Sequence, residues 1–253
     1  VSFNRVIMIQ RILFIGATSS ICRQICSNLV KAGDKVYLAS RDVEEQTRIA
    51  ADLKIRYSVE VFEGRFEAQD MDSHEVLAND AWEKLGGIDF VIIASGELGD
   101  QIMARKSVAK SWSIIASNYV GPVMLLTRIS NFLEKQGHGH ITVLTSVAGE
   151  RGRQSNYIYG SAKGGMIRFL QGLRNRLYQS DVHVLTVQLG FVDTKMTLGK
   201  TDMFLVISPE KAGRLIVKAM KKGRNIVYIP AFWSIIMMII RHIPEEIFKR
   251  LKL

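Results

Sequence analysis

The chain has 253 residues, of which 47% are hydrophobic and 23% charged, and these values are ordinary for one globular domain with a large core. Its two cysteines, Cys22 and Cys26, exclude a disulfide framework and are too few for a structural zinc site, so we expect a reducing compartment and no metal. No apolar run reaches the ~20 residues that cross a bilayer, and the run Val6 to Ile9 is too short for a signal peptide, so no secretion is expected.

The net charge of +10 is concentrated near the end of the chain, where residues 195–253 contain twelve Lys or Arg and four Asp or Glu. Such a bias suits an anionic substrate or an anionic lipid surface, and it is equally compatible with an ordinary solvated surface. Nucleic acid is not expected as a partner, because no nucleic-acid motif accompanies the charge.

Apolar runs of strand length alternate with helix-length segments along the chain. Seven runs are predicted as strands: 11–17, 35–40, 57–62, 88–95, 140–146, 182–189 and 225–229. Because these runs are apolar on both faces and helices separate them, they predict a Rossmann-type, doubly wound α/β fold with a seven-stranded parallel sheet. Glycines at 33, 86, 87, 137 and 139 fall where the intervening helices should end. We expect a single domain, residues 1–230, followed by an apolar and basic helical extension, residues 231–253.

The segment GATSSIC, residues 16–22, follows the first predicted strand and leads into a helix. A strand–turn–helix of this kind can bind a dinucleotide pyrophosphate, because backbone N–H groups at the helix N-terminus point at the anion. Of the usual glycine fingerprint only Gly16 is present, and the small residues Ser20 and Cys22 occupy the later glycine positions. Taken alone, this loop is weak evidence for a dinucleotide site.

The end of the second predicted strand indicates which dinucleotide is bound. An acidic residue there would hold the ribose 2′-hydroxyl and repel a 2′-phosphate. Ser40 is neutral and Arg41 is a cation, which favours NADP(H) over NAD(H). Asp42 follows directly and weakens this prediction, and Arg41 can also be an ordinary surface charge.

Residues 144–165, LTSVAGERGRQSNYIYGSAKGG, carry the strongest catalytic pattern. Ser146 ends a predicted strand, Tyr159 follows thirteen residues later, and Lys163 lies one helical turn beyond Tyr159 on the same face. The ordinary pKa of tyrosine, near ~10, is too high for proton transfer at neutral pH, and we expect the neighbouring cation to lower it. Ser146 can hold a substrate oxygen against the phenol. Tyr157 cannot share a face with Lys163, so Tyr159 is the predicted proton donor.

With these motifs the chain resembles the short-chain dehydrogenase/reductase family over almost its whole length. The matching motifs are GATSSIC (16–22), IASG (93–96), SNYVG (117–121), Ser146, YGSAK (159–163) and LGFVDT (189–194). The resemblance implies a catalytic set of Asn118, Ser146, Tyr159 and Lys163, in which Asn118 steadies a water of the proton relay. It also implies a homodimer or homotetramer. The implied cofactor-binding residues are Gly16, Thr18, Ser19, Ser20, Ile21, Ser40, Arg41, Glu67, Ala68, Ala94, Ser95, Gly96, Tyr159, Lys163, Gly190, Val192 and Thr194.

The chain departs from the family pattern near the cofactor. Ala94 replaces the usual asparagine, Leu189 replaces the usual proline, and two glycines of the phosphate loop are absent. These positions contact the cofactor or support the fold, and none belongs to the proton-transfer set.

Three segments are similar to a narrower group within the family, the reductases of the decaprenylphosphoryl-ribose 2-epimerase system. They are GELGDQ (96–101), SVAGERGRQSN (146–156) and IPAFWSIIMMIIRHIPEEIFKRL (229–251). The resemblance implies reduction of a 2-keto pentose carried on a polyprenyl phosphate, for cell-wall glycan synthesis, after a flavin-dependent oxidase partner has made the keto group.

The apolar start of the extension, taken as one helix, would be ~15 Å long, which is half of a ~30 Å hydrocarbon core. It can lie in the membrane interface, with Phe232 and Trp233 at headgroup depth and Lys249, Arg250 and Lys252 near anionic phosphates. On this hypothesis the protein is cytoplasmic and peripheral at the inner face of the plasma membrane. The extension can equally pack over the substrate pocket or against a partner subunit, because a buried helix is also apolar all round.

Two other functions fit parts of the sequence. A ketoreductase acting in solution on a sterol, acyl or free-sugar carbonyl would use the extension only to close an apolar pocket. A non-catalytic protein that responds to a dinucleotide would explain the reduced glycine loop, but such a protein need not retain the whole catalytic set.

Overall fold

The computed structural model describes residues 9–196 and 205–251. The described chain forms a seven-stranded parallel sheet in the order β3-β2-β1-β4-β5-β6-β7. The chain turns back between β1 and β4, which is the switch point where sheets of this class bind ligands. The predicted Rossmann-type fold is confirmed. The strands are β1 (Arg11–Ile15), β2 (Lys35–Ser40), β3 (Glu60–Arg65), β4 (Phe90–Ile93), β5 (Gly139–Ser146), β6 (Val182–Leu189) and β7 (Ile226–Ile229).

Helices cover both faces of the sheet. They are α1 (Ser20–Leu29), α2 (Val43–Tyr57), α3 (Met71–Leu85), α4 (Gln101–Ala104), α5 (Val108–Ile115), α6 (Gly121–Gln136), α7 (Tyr157–Leu177), α8 (Pro209–Lys221), α9 (Trp233–His242) and α10 (Glu245–Phe248). A π-helical turn, Ala116–Val120, joins α5 to α6. Side chains alternate along β1, so that Ile12 and Phe14 pack against α1, α2 and α8, while Leu13 and Ile15 pack against α3, α6 and α7. A core on each face explains why the strands are apolar throughout.

Strand β3 lies three residues later than the predicted 57–62. Helix α2 continues through Tyr57 and ends at Ser58, which adopts the left-handed conformation with φ 53°. Glycine is the usual residue at such a helix end, and a serine there gives no sequence signal. Glycine does end α3 and α6, at Gly86 and Gly137, as the sequence predicts.

Helix α9 packs one face on the protein and leaves the other exposed. Trp233 and Met237 are buried and form a small core with Val147. The expectation that Trp233 lies at headgroup depth is therefore wrong, because its side chain is buried in the protein. Lys252, which was expected near anionic phosphates, lies outside the described residues. Within the described part of the chain, no helix is both long and apolar enough to span a membrane.

Candidate active site

A cavity of about 450 Å³ opens at the carboxyl ends of the central strands. A second cavity of about 130 Å³ adjoins it, and Tyr159 lines both. Gly190 and Val192 line the smaller cavity, whereas the other predicted cofactor residues line the larger one. Those in the larger cavity are Gly16, Thr18, Ser19, Ser20, Ile21, Ser40, Arg41, Glu67, Ala68, Ala94, Ser95, Gly96, Tyr159, Lys163 and Thr194.

The backbone around Gly16 is packed too closely for any larger residue. Its φ is +78°, and a Cβ atom there would lie 2.6 Å from the backbone nitrogen of Ser95. The later loop positions do not need glycine: Ser20 borders the cavity and Cys22 packs in the core. The side chain of Ser19 makes no capping bond to the N-terminus of α1, so backbone N–H groups remain there to receive an anion. The loop therefore fits a dinucleotide pyrophosphate.

Gly96 and Ser95 also suit a bound nucleotide. A Cβ atom on Gly96 would lie 2.7 Å from Oδ1 of Asn118 and 3.2 Å from Nζ of Lys163, so only glycine leaves the cavity open beside these side chains. The hydroxyl of Ser95 is buried and has no hydrogen-bond partner among the residues that the structure describes. A ribose hydroxyl could satisfy it. The donor and acceptor set of the larger cavity therefore matches a dinucleotide.

The adenosine end of the cavity is formed where β2 and β3 end. Arg41 lines it and is exposed, while the hydroxyl of Ser40 donates to Oε1 of Gln46 at 2.9 Å. The Asp42 carboxylate accepts the backbone N–H of Glu45 at 3.1 Å and so caps α2. Asp42 thus has a structural role of its own.

The structure brings Ser146, Tyr159 and Lys163 together between the two cavities. Ser146 ends β5, and its hydroxyl donates to the carbonyl of Leu189 at 3.4 Å and accepts the N–H of Ala148 at 3.1 Å, while it lines the same cavity as the phenol of Tyr159. Lys163 is one turn further along α7, with Nζ 5.9 Å from the centre of the Tyr159 ring and donating to the carbonyl of Leu144 at 3.1 Å. A carbonyl oxygen in the smaller cavity could reach both hydroxyls.

Burial shifts the pKa values of both titratable groups toward their neutral forms. It raises the pKa of Tyr159 to about 12, although the neighbouring hydroxyl of Ser146 opposes this, and it lowers the pKa of Lys163 to about 8. The expectation of a lowered pKa for Tyr159 is therefore wrong for the protein by itself, because desolvation raises this pKa more than Ser146 lowers it. The phenol is protonated at neutral pH, which is the form that a proton donor requires.

Asn118 lies behind the catalytic side chains, in the π-helical turn. Its amide nitrogen donates to the carbonyl of Glu97 at 2.6 Å and to that of Ile114 at 2.8 Å, and its Oδ1 accepts the N–H of Glu97 at 3.3 Å. Asn118 is buried and borders neither cavity in the described chain. It thus fixes the segment after β4, which carries Gly96, against α5.

The smaller cavity contains residues that the sequence motifs do not assign to catalysis or cofactor binding. Arg153 and Asn156 come from the loop between β5 and α7, and Trp233 comes from α9. The Trp233 ring lies over Gly190 and packs edge-on against Phe191, with centroids 5.6 Å apart. Residues 146–156 and 229–251 are similar in sequence to the narrower group of reductases. Their residue spacing does not indicate which side chains face the cavity.

The model of the short chain dehydrogenase family matches residues 10–203. The chain belongs to this family. It is therefore an NAD(P)-dependent oxidoreductase that acts on alcohol or carbonyl groups.

Similar proteins cover nearly the whole chain. An uncharacterized oxidoreductase of Mycobacterium tuberculosis is 32% identical over 240 residues, which is 95% of this chain and 96% of the relative. An uncharacterized oxidoreductase of Streptomyces coelicolor is 31% identical over 241 residues, 95% of each chain. Among solved structures, an actinorhodin polyketide ketoreductase variant with NADPH has a TM-score of 0.77 at 18% identity, covering 88% of this chain and 97% of its own. An alcohol dehydrogenase of Thermococcus sibiricus, complexed with 5-hydroxy-NADP, has a TM-score of 0.75 at 21% identity, covering 87% and 95%.

Proposed function

We propose that this enzyme is an NADPH-dependent ketoreductase in which Tyr159 delivers the proton. The observation that carries the proposal is the position of Tyr159, which borders both cavities, shares the smaller one with Ser146 and lies one turn from Lys163. NADPH bound in the larger cavity would supply the hydride. Ser146 orients the substrate carbonyl, Tyr159 donates its proton to the carbonyl oxygen, and the ammonium of Lys163 stabilises the resulting phenolate.

Substitution of the phenol tests this proposal. We expect Tyr159→Phe to lower kcat/KM for a ketone by about 100-fold or more, the range typical of general acid catalysis, while NADPH binding is retained. Tyr157→Phe is the matched control, since Tyr157 is 46% exposed and borders neither described cavity. NADPH oxidation measures the first quantity and fluorescence titration the second. Full activity in Tyr159→Phe would exclude this mechanism.

We propose NADP(H) as the cofactor in preference to NAD(H). Arg41 borders the adenosine end of the cavity, and Asp42 already accepts a backbone N–H at the start of α2. A guanidinium there can bind the 2′-phosphate that NADP carries. The two solved neighbours contain NADPH and 5-hydroxy-NADP, which is consistent with this choice.

A variant of Arg41 separates the two cofactors. We expect Arg41→Ala to lower kcat/KM for NADPH by about tenfold or more, since a hydrogen bond to a charged group contributes about 1.5–3 kcal/mol, and to leave the value for NADH unchanged. Arg56→Ala is the control, because Arg56 is exposed on α2 and pairs with Asp52, and neither residue lines the cavity. Equal losses with NADPH and NADH would contradict the assignment.

We propose a 2-keto pentose on a polyprenyl phosphate as the substrate. The similarity of residues 96–101, 146–156 and 229–251 to the narrower group of reductases supports this choice. Helix α9 supports it too, because its outer face is apolar and could lie on a bilayer that holds such a substrate. A short-prenyl phosphoryl 2-keto pentose should be reduced in preference to water-soluble ketones. Rapid reduction of a short-chain ketone, with none of the prenyl substrate, would favour the alternative of a soluble ketoreductase.

The predicted partners follow from the same proposal. A flavin-dependent oxidase would supply the keto sugar. A homodimer or homotetramer stays a prediction, and it is supported by the exposure of Val108 and Trp112 on α5, the helix that leads into Asn118.

A further inference from the structure

Arg153 stands in the wall of the smaller cavity without an ionic partner. It shares this cavity with Ser146 and Tyr159. Its Nε is buried and makes no hydrogen bond, and Arg153 forms no ion pair with any carboxylate in residues 9–196 and 205–251. The polar contact found for its guanidinium is weak, from Nη2 to Sδ of Met237 at 3.9 Å.

Arg153 is half-buried, so its guanidinium keeps only part of its hydration. A guanidinium loses its hydration when it is buried, and the loss is normally offset by a carboxylate or by several carbonyl groups. Arg174 shows the usual arrangement, since it donates to the carbonyls of Val184 and Asn225 and to the hydroxyl of Thr186. Arg153 has no such set, and burial lowers the pKa of its guanidinium. A ligand anion would offset this loss.

A second polar atom of the same cavity also lacks a partner. The Oδ1 atom of Asn156 is buried and accepts no hydrogen bond from the described part of the chain. It can accept from a hydroxyl, while Arg153 can only donate. The remaining wall is largely apolar, with Leu98, Val147 and Phe191 among its residues. The cavity therefore presents a cation and a hydrogen-bond acceptor beside the proton donor.

We propose that Arg153 binds an oxyanion of the substrate, a phosphoryl or carboxylate group, and that it thereby determines substrate specificity. This inference rests on the proposed function, because it concerns the substrate whose carbonyl meets Ser146 and Tyr159. Arginine presents a planar fork of N–H donors that matches both oxyanions. Asn156 would accept a hydroxyl of the same substrate.

Paired substrates test the assignment. We would compare a short-prenyl phosphoryl 2-keto pentose with the neutral prenyl glycoside of the same keto sugar. The wild-type enzyme should prefer the phosphoryl substrate by about 30-fold or more in kcat/KM, as is typical when a buried charge pair is broken. Arg153→Met should abolish this preference, chiefly by raising KM for the phosphoryl substrate. Arg153→Lys should restore part of the preference, because it restores the charge without the fork.

Arg151 provides the matched control. It lies two residues away in the same loop, pairs with Glu245 at 2.7 Å and stacks on Phe248 at 4.1 Å, and it borders neither described cavity. Arg151→Met should keep the preference for the phosphoryl substrate. An equal loss of preference in Arg151→Met and Arg153→Met would overturn the proposal, because it would show a general effect of loop charge.

A binding experiment gives a result even without turnover. Calorimetry on the NADPH-loaded wild-type protein would compare farnesyl phosphate, farnesoate and farnesol, three probes with the same chain and different head groups. Tighter binding of either anion than of farnesol supports the proposal and identifies the oxyanion, and equal binding of all three overturns it. If neither keto substrate supports NADPH oxidation, the proposed function itself is wrong. If the enzyme reduces both substrates equally well, the proposed reductase activity is supported and the proposed role of Arg153 is wrong.

Discussion

The pKa of Lys163 lies close to physiological pH, so a small rise in pH removes its charge. Burial against the carbonyl of Leu144 lowers its pKa to about 8, whereas the Tyr159 phenol, with a pKa of about 12, stays protonated. Below pH 8 the folded enzyme therefore contains both the ammonium and the phenol. Above pH 8 it loses the ammonium that would stabilise the phenolate.

The pH dependence of activity should follow Lys163. We expect kcat/KM for NADPH to fall as pH rises through about 8, since this ratio reports the essential groups of the free enzyme. The fall has this direction because the proton is bound to Lys163 below its pKa and lost above it. Steady-state rates between pH 6 and 10 measure it, with Tyr157→Phe as a variant that should give the same profile. A ratio that stays constant up to pH 10 would contradict the role given to Lys163.

The chemistry of the site could be predicted from sequence because it requires particular residue types at fixed spacing. Tyr159 and Lys163 lie one helical turn apart whatever the rest of the fold does. The roles of Arg153 and Asn156 could not be predicted in this way. Each depends on lacking a partner, and that is a property of the packed structure.

At the scale of elements, helix α9 closes the substrate side of the site. Trp233 at its start is 1% exposed and lies over Gly190, at the end of β6. A Cβ atom on Gly190 would overlap the indole ring. Glycine is thus required there by the close approach of a side chain from another element.

Substitution of Gly190 should displace α9. We expect Gly190→Ala to lower the free energy of unfolding by about 1–3 kcal/mol, the usual cost of overpacking, and to raise KM for the ketone because Trp233 lines the substrate cavity. Gly172→Ala is the control: Gly172 lies inside α7 with no atom near its added Cβ, so this change should be neutral or stabilising. Thermal unfolding and ketone kinetics measure both effects. Unchanged stability in Gly190→Ala would contradict the packing described for Trp233.

Elements were predictable where apolar periodicity or glycine marks them. Residues 107–137 have helix-like periodicity in the sequence, and the structure divides them into α5 and α6 by the π-helical turn at Ala116–Val120. That turn places Asn118 against Glu97. π-Helical turns of this kind often occur at functional sites, and hydrophobic periodicity does not reveal them.

At the scale of the whole molecule, the α9–α10 region presents an apolar surface bordered by cations. Ile235 and Ile239 are each 60% exposed on one face of α9, and Ile247 and Leu251 are also exposed. The same segment of the chain contains the basic residues Arg241, Lys249 and Arg250, of which Arg241 also pairs with Glu150. We propose that this surface rests on anionic lipid, because exposed apolar side chains beside cations match the interface of a bilayer.

Sedimentation with vesicles tests this surface. The wild-type protein should sediment with phosphatidylglycerol vesicles at low salt and be released at high salt, because salt screens exposed charges. Ile235→Glu/Ile239→Glu should remain in the supernatant with unaltered thermal stability. Ile55→Glu/Val76→Glu is the control, since Ile55 and Val76 are exposed elsewhere, on α2 and α3. If the wild-type protein stays in the supernatant at low salt, the surface does not bind lipid and the soluble alternative is favoured.

Gly152 is the one residue between Arg151 and Arg153. Arg151 is bonded to Glu245 and to the carbonyl of Arg241, and Arg153 faces the cavity. A displacement of α9 and α10 on a surface would therefore act on the loop that carries Arg153. We expect the preference for an anion measured on vesicles to differ from that measured in free solution.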